Sequence, residues 1–293
     1  MKKNSIAIIG TGKVGTAVGY LLKSAGYSIV ALADHSRDAL KKCAEYTGGK
    51  IFTDPAKAAT MADAVFITTV DDVIASVCRD MADRGAFNAG QKVIHMSGAG
   101  GLDLLEPAKA SGAFIASIHP LQAFVDVRGV IENIPGSTFS ITAQPEITAW
   151  AVQIVKDLGG NAFFVTDEDK PLYHAAACMA SNYFVTLMNV VIGLYGRLGL
   201  DPEEARTAFW PLVKGTVRNI ESLGPEKSLT GPISRGDIKT VRRHLDALRT
   251  KFPSVLPLYE ALAVFTVEIG IKNGTLPEDT AEKLLSIIKG DVQ

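Results

Sequence analysis

The fold this sequence predicts is α/β: a doubly wound, mainly parallel sheet followed by an all-helical second domain. Three observations carry that reading. An apolar run at residues 5–9 ends in Gly10-Thr11-Gly12-Lys13-Val14-Gly15 and passes at once into a helical pattern. Short apolar runs then alternate with helical patterns as far as about residue 165. Beyond residue 167 only helical patterns remain. Continuous apolar runs are the mark of parallel strands buried on both faces, and strand–helix alternation is the mark of crossover units.

The elements follow in order. Residues 16–24 place Ala17, Val18, Leu21 and Leu22 at helical spacing, and Gly26 stops that helix. Residues 28–33 form the second strand and run into Asp34-His35-Ser36-Arg37; a helix over 37–46 follows, with Asp34 or Ser36 as its cap. Residues 50–52 are a short strand and 55–61 a short helix. The apolar run 64–70 is a central strand ending in Thr68-Thr69-Val70, and Asp71-Asp72 opens the next helix. Residues 92–96 and 114–118 are further strands; the first runs into Ser97-Gly98-Ala99, the second into His119-Pro120. Residues 137–142 and 162–165 are outer strands around a helix over 145–158. One long helix is expected over 170–198, apolar nearly all round and so buried, with a subunit interface as one place to bury it. Helices over 202–209, 211–223, 237–250, 254–273 and 277–289 complete the chain. The domain boundary is expected between residues 166 and 167, giving 1–166 and 167–293.

Composition removes several function classes. With 47% hydrophobic and 21% charged residues in 293, the chain can fill two cores. A net charge of −1 gives no reason to expect nucleic acid or an anionic membrane as partner. Cys43, Cys78 and Cys178 are far apart and odd in number, which fits buried thiols in a reducing, cytoplasmic setting. The apolar start reads as a strand, not a signal peptide, and 175–194 reads as a buried helix, not a membrane span. No cysteine–histidine spacing suits a metal, and no Gly-x-Ser-x-Gly elbow suits a serine hydrolase.

The candidate site follows from the glycine loop. Gly10, Thr11, Gly12, Lys13, Val14 and Gly15 form a tight turn whose backbone can approach a pyrophosphate, with the N–H groups of a helix N-terminus behind it. Asp34 lies 19 residues beyond Gly15, where an acid accepts the ribose hydroxyls of NAD; Arg37, beside His35 and Ser36, would suit the 2′-phosphate of NADP. Asp34 is the better placed, so the balance leans to NAD. Thr68, Thr69 and Val70 end a strand at the carboxyl edge, where ligands bind in open α/β sheets. Ser97 and His119 are delivered to the same edge; the imidazole suits proton transfer near neutrality and the hydroxyl suits a substrate oxygen. Lys170 and His174 are i,i+4 neighbours, and Ser181 and Asn182 lie further along that helical pattern; a polar stripe on an apolar helix lines a site or pairs internally. Thr230, Arg235 and Asp237 could clamp a carboxylate, or Asp237 could simply cap a helix.

Several of these motifs stand together: the glycine loop, Thr68-Thr69-Val70-Asp71-Asp72, His95-Met96-Ser97-Gly98-Ala99, His119-Pro120-Leu121-Gln122-Ala123-Phe124, Tyr173-His174 with Ser181-Asn182-Tyr183, and Leu229-Thr230-Gly231-Pro232 with Arg235-Gly236-Asp237. Over nearly the whole chain the set resembles a bacterial family that pairs a Rossmann-like domain with a helical domain of unknown function. That family is similar to the wider group of 6-phosphogluconate dehydrogenase, 3-hydroxyisobutyrate dehydrogenase, pyrroline-5-carboxylate reductase and ketopantoate reductase. The resemblance implies a homodimer made through the helical domain, with Lys170 and Asn182 touching substrate. His119-Pro120 and Ser97 are similar to the His-Pro and serine of prephenate dehydrogenases. The family often carries Ser-Arg-Ser after the second strand where this chain has Asp34-His35-Ser36, so no NADP preference is implied.

The expectation is therefore a NAD(P)-dependent oxidoreductase acting on a small, carboxylate-bearing carbonyl/alcohol or imine/amine, a ketopantoate-like 2-oxo acid first. In it His119 or Lys170 moves the proton, and Ser97 and Asn182 orient the substrate. Alternatives are a dinucleotide-binding sensor or scaffold without turnover and a prephenate-like dehydrogenase.

Overall fold

A computed structural model describes residues 3–290. The chain divides into two compact units, Met1–Asn182 and Tyr183–Gln293.

The first unit is built on eight strands: β1 (Ser5–Ile9), β2 (Ser28–Ala33), β3 (Lys50–Phe52), β4 (Ala64–Ile67), β5 (Lys92–His95), β6 (Phe114–Pro120), β7 (Thr138–Ala143) and β8 (Asn161–Phe164). Their order in the sheet is β3-β2-β1-β4-β5-β6-β7-β8. All neighbours are parallel except β6 and β7, which run antiparallel. The helices are α1 (Lys13–Ser24), α2 (Arg37–Thr47), α3 (Pro55–Ala59), α4 (Asp71–Asp83), α5 (Glu106–Ala110), α6 (Val127–Asn133), α7 (Thr148–Asp157) and α8 (Lys170–Ala180). The expected mainly parallel, doubly wound sheet is present; α5 and α6 lie where no helix was expected.

Strand alternation splits the core in two. Ile6 and Ile8 of β1 face one cluster with Val18 and Leu22 of α1 and Ile154 and Val155 of α7. Ala7 and Ile9 face the other, with Ile74, Cys78 and Met81 of α4. A sheet covered on both faces leaves its two ends as the places where polar side chains can gather. Between β1 and β4 the strand order reverses, and this is the crevice in which open α/β sheets bind ligands.

The second unit contains α9 (Asn182–Gly196, entered here from Tyr183), α10 (Pro202–Leu223), α11 (Pro225–Ser228), α12 (Ile238–Lys251), α13 (Leu256–Lys272) and α14 (Glu278–Lys289). Val241 and Leu245 of α12, Ala263 and Val267 of α13, and Leu284 and Ile288 of α14 form its core. Two expectations change here. Residues 202–223 form one helix with Pro211 inside it: a proline removes one N–H donor without forcing an end. The long helix over 170–198 is interrupted at Ser181, and no residue of α9 is buried within this single chain.

By length and composition alone, Lys170–Gly196 and Pro253–Lys272 could cross a bilayer. Lys170 in the first stretch is bonded to strand groups of its own unit, and Val267 in the second lies in the helical core.

Candidate functional site

The glycine loop is fixed by close approach. Gly10 sits at φ +99°, and a Cβ on it would lie 2.6 Å from the backbone nitrogen of Thr69. A Cβ on Gly15 would collide with the Gly10 carbonyl and the Thr68 hydroxyl. Thr68 clasps the loop, its Oγ1 donating to the Gly10 carbonyl at 2.5 Å and its N–H to Ile9 at 2.7 Å. A Cβ on Gly12, in contrast, would meet nothing within 4 Å. No side chain caps the N-terminus of α1, so its first N–H groups face that open space.

A cavity of about 390 Å³ lies over the loop, lined by Gly10, Gly12, Asp34, His35, Thr68, Thr69 and Val70 among others. Thr69 Oγ1 is buried there without a hydrogen-bond partner among the described residues. An open glycine backbone, an uncapped helix end and an orphaned hydroxyl fit a pyrophosphate-bearing ligand. Asp34 is tied into the loop rather than left free. Its Oδ2 accepts from the Thr11 N–H at 2.6 Å and the Thr11 hydroxyl at 3.0 Å, while Oδ1 accepts from the Ser36 N–H at 2.9 Å and faces His35 at 3.1 Å. Ser36, not Asp34, caps α2 through the N–H of Ala39. Lys13 and Arg37 are exposed, and Val14 is half-buried.

Register places the second cluster. His95 of β5 pairs with Ser117 of β6, so Ser97 and His119, each two residues further on, reach the sheet edge side by side. Ser97 is bound on every side. Its Oγ donates to Asp71 Oδ2 at 2.6 Å and accepts the Gly100 N–H at 2.9 Å, and its carbonyl accepts from the Ser117 hydroxyl at 3.3 Å. Its N–H donates to His95 Nδ1 at 3.1 Å; His95 Nε2 then carries the proton given to the Gly101 carbonyl at 3.0 Å. Burial pushes the His95 imidazole down to about 4.

Lys170 is fully buried. Its Nζ donates to Ser117 Oγ at 2.8 Å and to the Ser97 carbonyl at 3.5 Å, beneath the turn that carries Gly98. Burial lowers its pKa to about 8, against the opposing pull of Asp167 and Asp71. The lysine supports the turn and does not line the cavity beyond it.

That cavity, about 680 Å³, belongs to the first unit and is lined by His119, Tyr173, His174, Phe124, Ser181 and Asn182 among others. His119 Nδ1 lies 2.7 Å from the Tyr173 hydroxyl. The His119 and His174 rings stand edge to face at 5.9 Å. Both border Gly98: a Cβ there would collide with His174 Nδ1 and lie 2.9 Å from His119 Nε2. Burial first, then His174 and Lys170, lower His119 to about 4. The imidazole is therefore neutral at pH 7.

Ser97, His119, Lys170, His174 and Asn182 thus lie in one unit, the first four within one contiguous cluster. Asp71, Tyr173 and His95, present in the sequence motifs without an assigned role, and Ser117 complete that cluster. Alternation along β6 could have flagged Ser117 with His119, and the position of Asp71 one residue beyond the Thr68-Thr69-Val70 edge could have flagged the carboxylate. Thr230, Arg235 and Asp237 lie in the second unit. Asp237 caps α12, accepting from Thr240 N–H at 3.1 Å and Oγ1 at 2.7 Å; Arg235 and Thr230 are exposed. Among the described residues no group of side chains could hold a metal ion.

Sheet order, glycine crevice and helical second unit together define a Rossmann-like protein with a separate all-helical unit. Residues 1–120 match the Rossmann-like domain, and residues 137–266 match a domain of unknown function, DUF2520. The chain therefore joins a Rossmann-like domain to a DUF2520 domain. Protein TM1727 from Thermotoga maritima is similar, with 27% identity over 91% of this chain and 98% of that one and a TM-score of 0.72. BF3122 from Bacteroides fragilis, a candidate NADP oxidoreductase, has 21% identity over 89% and 96% with a TM-score of 0.71. A pyrroline-5-carboxylate reductase from Coxiella burnetii has 17% identity over the full length of both chains with a TM-score of 0.57. No curated protein matches.

Proposed function

We propose that this chain is a cytoplasmic NAD(P)-dependent oxidoreductase, acting on a small carbonyl/alcohol or imine/amine substrate that bears a carboxylate. One observation carries the reading. The Asp71–Ser97 hydrogen bond joins the wall of the glycine crevice, at Val70, to the turn at Gly98 that His119 and His174 border. A dinucleotide bound over Gly12 supplies hydride chemistry at that junction. The chain's own groups supply the rest. The Gly10–Gly15 loop and the α1 N-terminus take the pyrophosphate, His119 faces the reacting oxygen or nitrogen, and Asn182 and His174 orient the substrate. Lys170 holds the Ser97–Gly98 turn from beneath.

Structures with this fold include an NADP oxidoreductase candidate and a pyrroline-5-carboxylate reductase, which supports the same chemistry. Asp34 keeps the lean to NAD, since a 2′-phosphate at the end of β2 would meet its carboxylate; exposed Arg37 is the counterweight. The exposed apolar faces of the helical unit are proposed to close in a homodimer.

Titration with NADH and NADPH, read as a rise in the thermal midpoint, tests the cofactor. Turnover of 2-oxo acids, ketopantoate among them, tests the chemistry. His119→Asn should lower turnover by about 100-fold, the scale of general acid–base catalysis; unchanged turnover removes His119 from the reaction.

A further inference from the structure

We propose that Tyr173 is a positioning residue that holds His119 in its Nε2–H tautomer, so that the cavity presents a proton donor to a hydrogen-bond acceptor on the ligand. The proposal deepens the oxidoreductase reading and, for its substrate, rests on it.

A phenol has one proton, and a neutral imidazole has one N–H and one bare nitrogen. Burial raises the Tyr173 pKa, so the phenol keeps its proton. Its hydroxyl lies 2.7 Å from His119 Nδ1. Ser140, whose residue pairs with His119 across β6 and β7, faces the phenol and opposes the effect of burial on it, as a hydroxyl that donates to the Tyr173 oxygen does, so it does not take the phenol's proton. Among the described residues Nδ1 is thus the acceptor for the Tyr173 proton. Nδ1 then carries none, and the imidazole proton must sit on Nε2.

The charged and titratable groups facing this ring are Lys170, His174, Asp71 and His95. Burial first, then His174 and Lys170, disfavour a second proton, so the ring stays neutral with a single N–H. Nε2 borders Gly98 beside His174 Nδ1, which is itself buried without a hydrogen-bond partner among the described residues.

The chemical consequence is a substrate class. A carbonyl oxygen accepts from Nε2–H and is polarised by it. A protonated imine offers N–H instead and would meet donor against donor. The geometry favours a carbonyl/alcohol pair over an iminium/amine pair.

Long-range ¹H–¹⁵N spectra of the full-length ¹⁵N-labelled protein at pH 7.5 read the tautomer directly, with His119→Gln identifying the signal. The expected result is a protonated Nε2 and a bare Nδ1. Tyr173→Phe should shift that signal toward the other tautomer, and Ser140→Ala should leave it in place. A wild-type Nδ1–H signal for His119 overturns the proposal whether or not the Tyr173 variant folds. A Tyr173→Phe signal identical to wild type, or a Ser140→Ala signal that shifts equally, also overturns it.

The substrate is tested with NADPH and NADH against a 2-oxo acid and against 1-pyrroline. Turnover of the oxo acid alone supports the class, and turnover of the imine alone overturns it. If neither reacts while Nε2 is protonated, the role of Tyr173 stands and the oxidoreductase reading fails by itself.

Discussion

Ser97 gives its only hydroxyl proton to Asp71 across 2.6 Å while accepting the Gly100 N–H at 2.9 Å. A hydroxyl so committed cannot also donate to a substrate carbonyl, so Ser97 builds the site more than it binds the ligand. Ser97→Ala leaves a backbone N–H and a carboxylate without their partner. It should cost about 1–3 kcal/mol of stability, the penalty for orphaned polar groups. Urea unfolding at pH 7 checks this. A variant as stable as wild type with a raised KM would instead make Ser97 a direct substrate contact.

The glycine loop separates two roles that a motif alone merges. Gly15→Ala drives a methyl into the Gly10 carbonyl and the Thr68 hydroxyl. Overpacking of this kind costs about 1–3 kcal/mol, so its thermal midpoint should fall by several degrees. Gly12→Ala meets nothing within 4 Å and should change stability by less than about 0.5 kcal/mol. Its methyl fills the space proposed for pyrophosphate, so NADH and NADPH should bind at least tenfold more weakly. Equal binding by Gly12→Ala and wild type places the phosphates elsewhere.

These positions also mark what the sequence could and could not tell. Gly10 and Gly15 were legible because the tight strand–helix turn demands glycine there, and Gly12 because it completes the Gly-x-Gly-x-x-Gly spacing. The sheet was legible because its strands are buried on both faces and read as apolar runs. The roles of Asp71, Ser117 and Tyr173 were hidden because their partners lie on other elements, and that of His95 because its bonds go to the backbone of the turn after its own strand. The Asp71–Ser97 contact spans 26 residues and His119–Tyr173 spans 54. The break at Ser181 had no local signal, since no glycine or proline stands there and apolar residues continue on both sides. Lys170 was seen on the right helix, but its direction depends on register: Ser117 and the Ser97 carbonyl draw it beneath the turn.

Lys170 makes stability depend on pH with a definite sign. Its folded pKa, about 8, lies below the ordinary lysine value of 10.5. Between those values the unfolded chain binds more protons than the folded one, so stability rises as pH increases from about 8 to about 10.5. Below pH 8 the full cost of keeping the ammonium buried is present, about 3 kcal/mol. The difference in unfolding free energy between wild type and Lys170→Met, measured from pH 7 to 10, should therefore move in favour of wild type as pH rises. A constant difference places the ammonium in a better solvated setting than the structure gives it.

The proposed homodimer has a direct test in the helical unit. Val185 is 66% exposed and Phe265 63% exposed, and α9 buries none of its residues within one chain. Apolar faces of that extent on helices usually mark an interface. Sedimentation velocity should give a dimer at micromolar concentration. Val185→Asp or Phe265→Asp should shift it toward monomer without loss of helix content. A wild-type monomer would leave those faces to another partner.

Gly98 offers the sharpest separation of fold from chemistry. Its backbone is not in the left-handed region, so alanine meets no conformational penalty there. The obstruction comes from His174 Nδ1 and from His119 Cε1 and Nε2, all side-chain atoms that can swing aside. Gly98→Ala should therefore cost little stability, since two rings move and no backbone does. Those rings are the proposed proton donor and its neighbour, and a displacement near 1 Å costs about 100-fold in rate. The variant should melt close to wild type and bind NADH and NADPH as wild type does, because the glycine crevice is untouched. Turnover should fall by about two orders of magnitude, with the His119 signal shifted in the ¹⁵N spectrum. Full turnover in Gly98→Ala would show that neither imidazole needs its place against this turn, and the reacting centre would have to be sought elsewhere in the cavity.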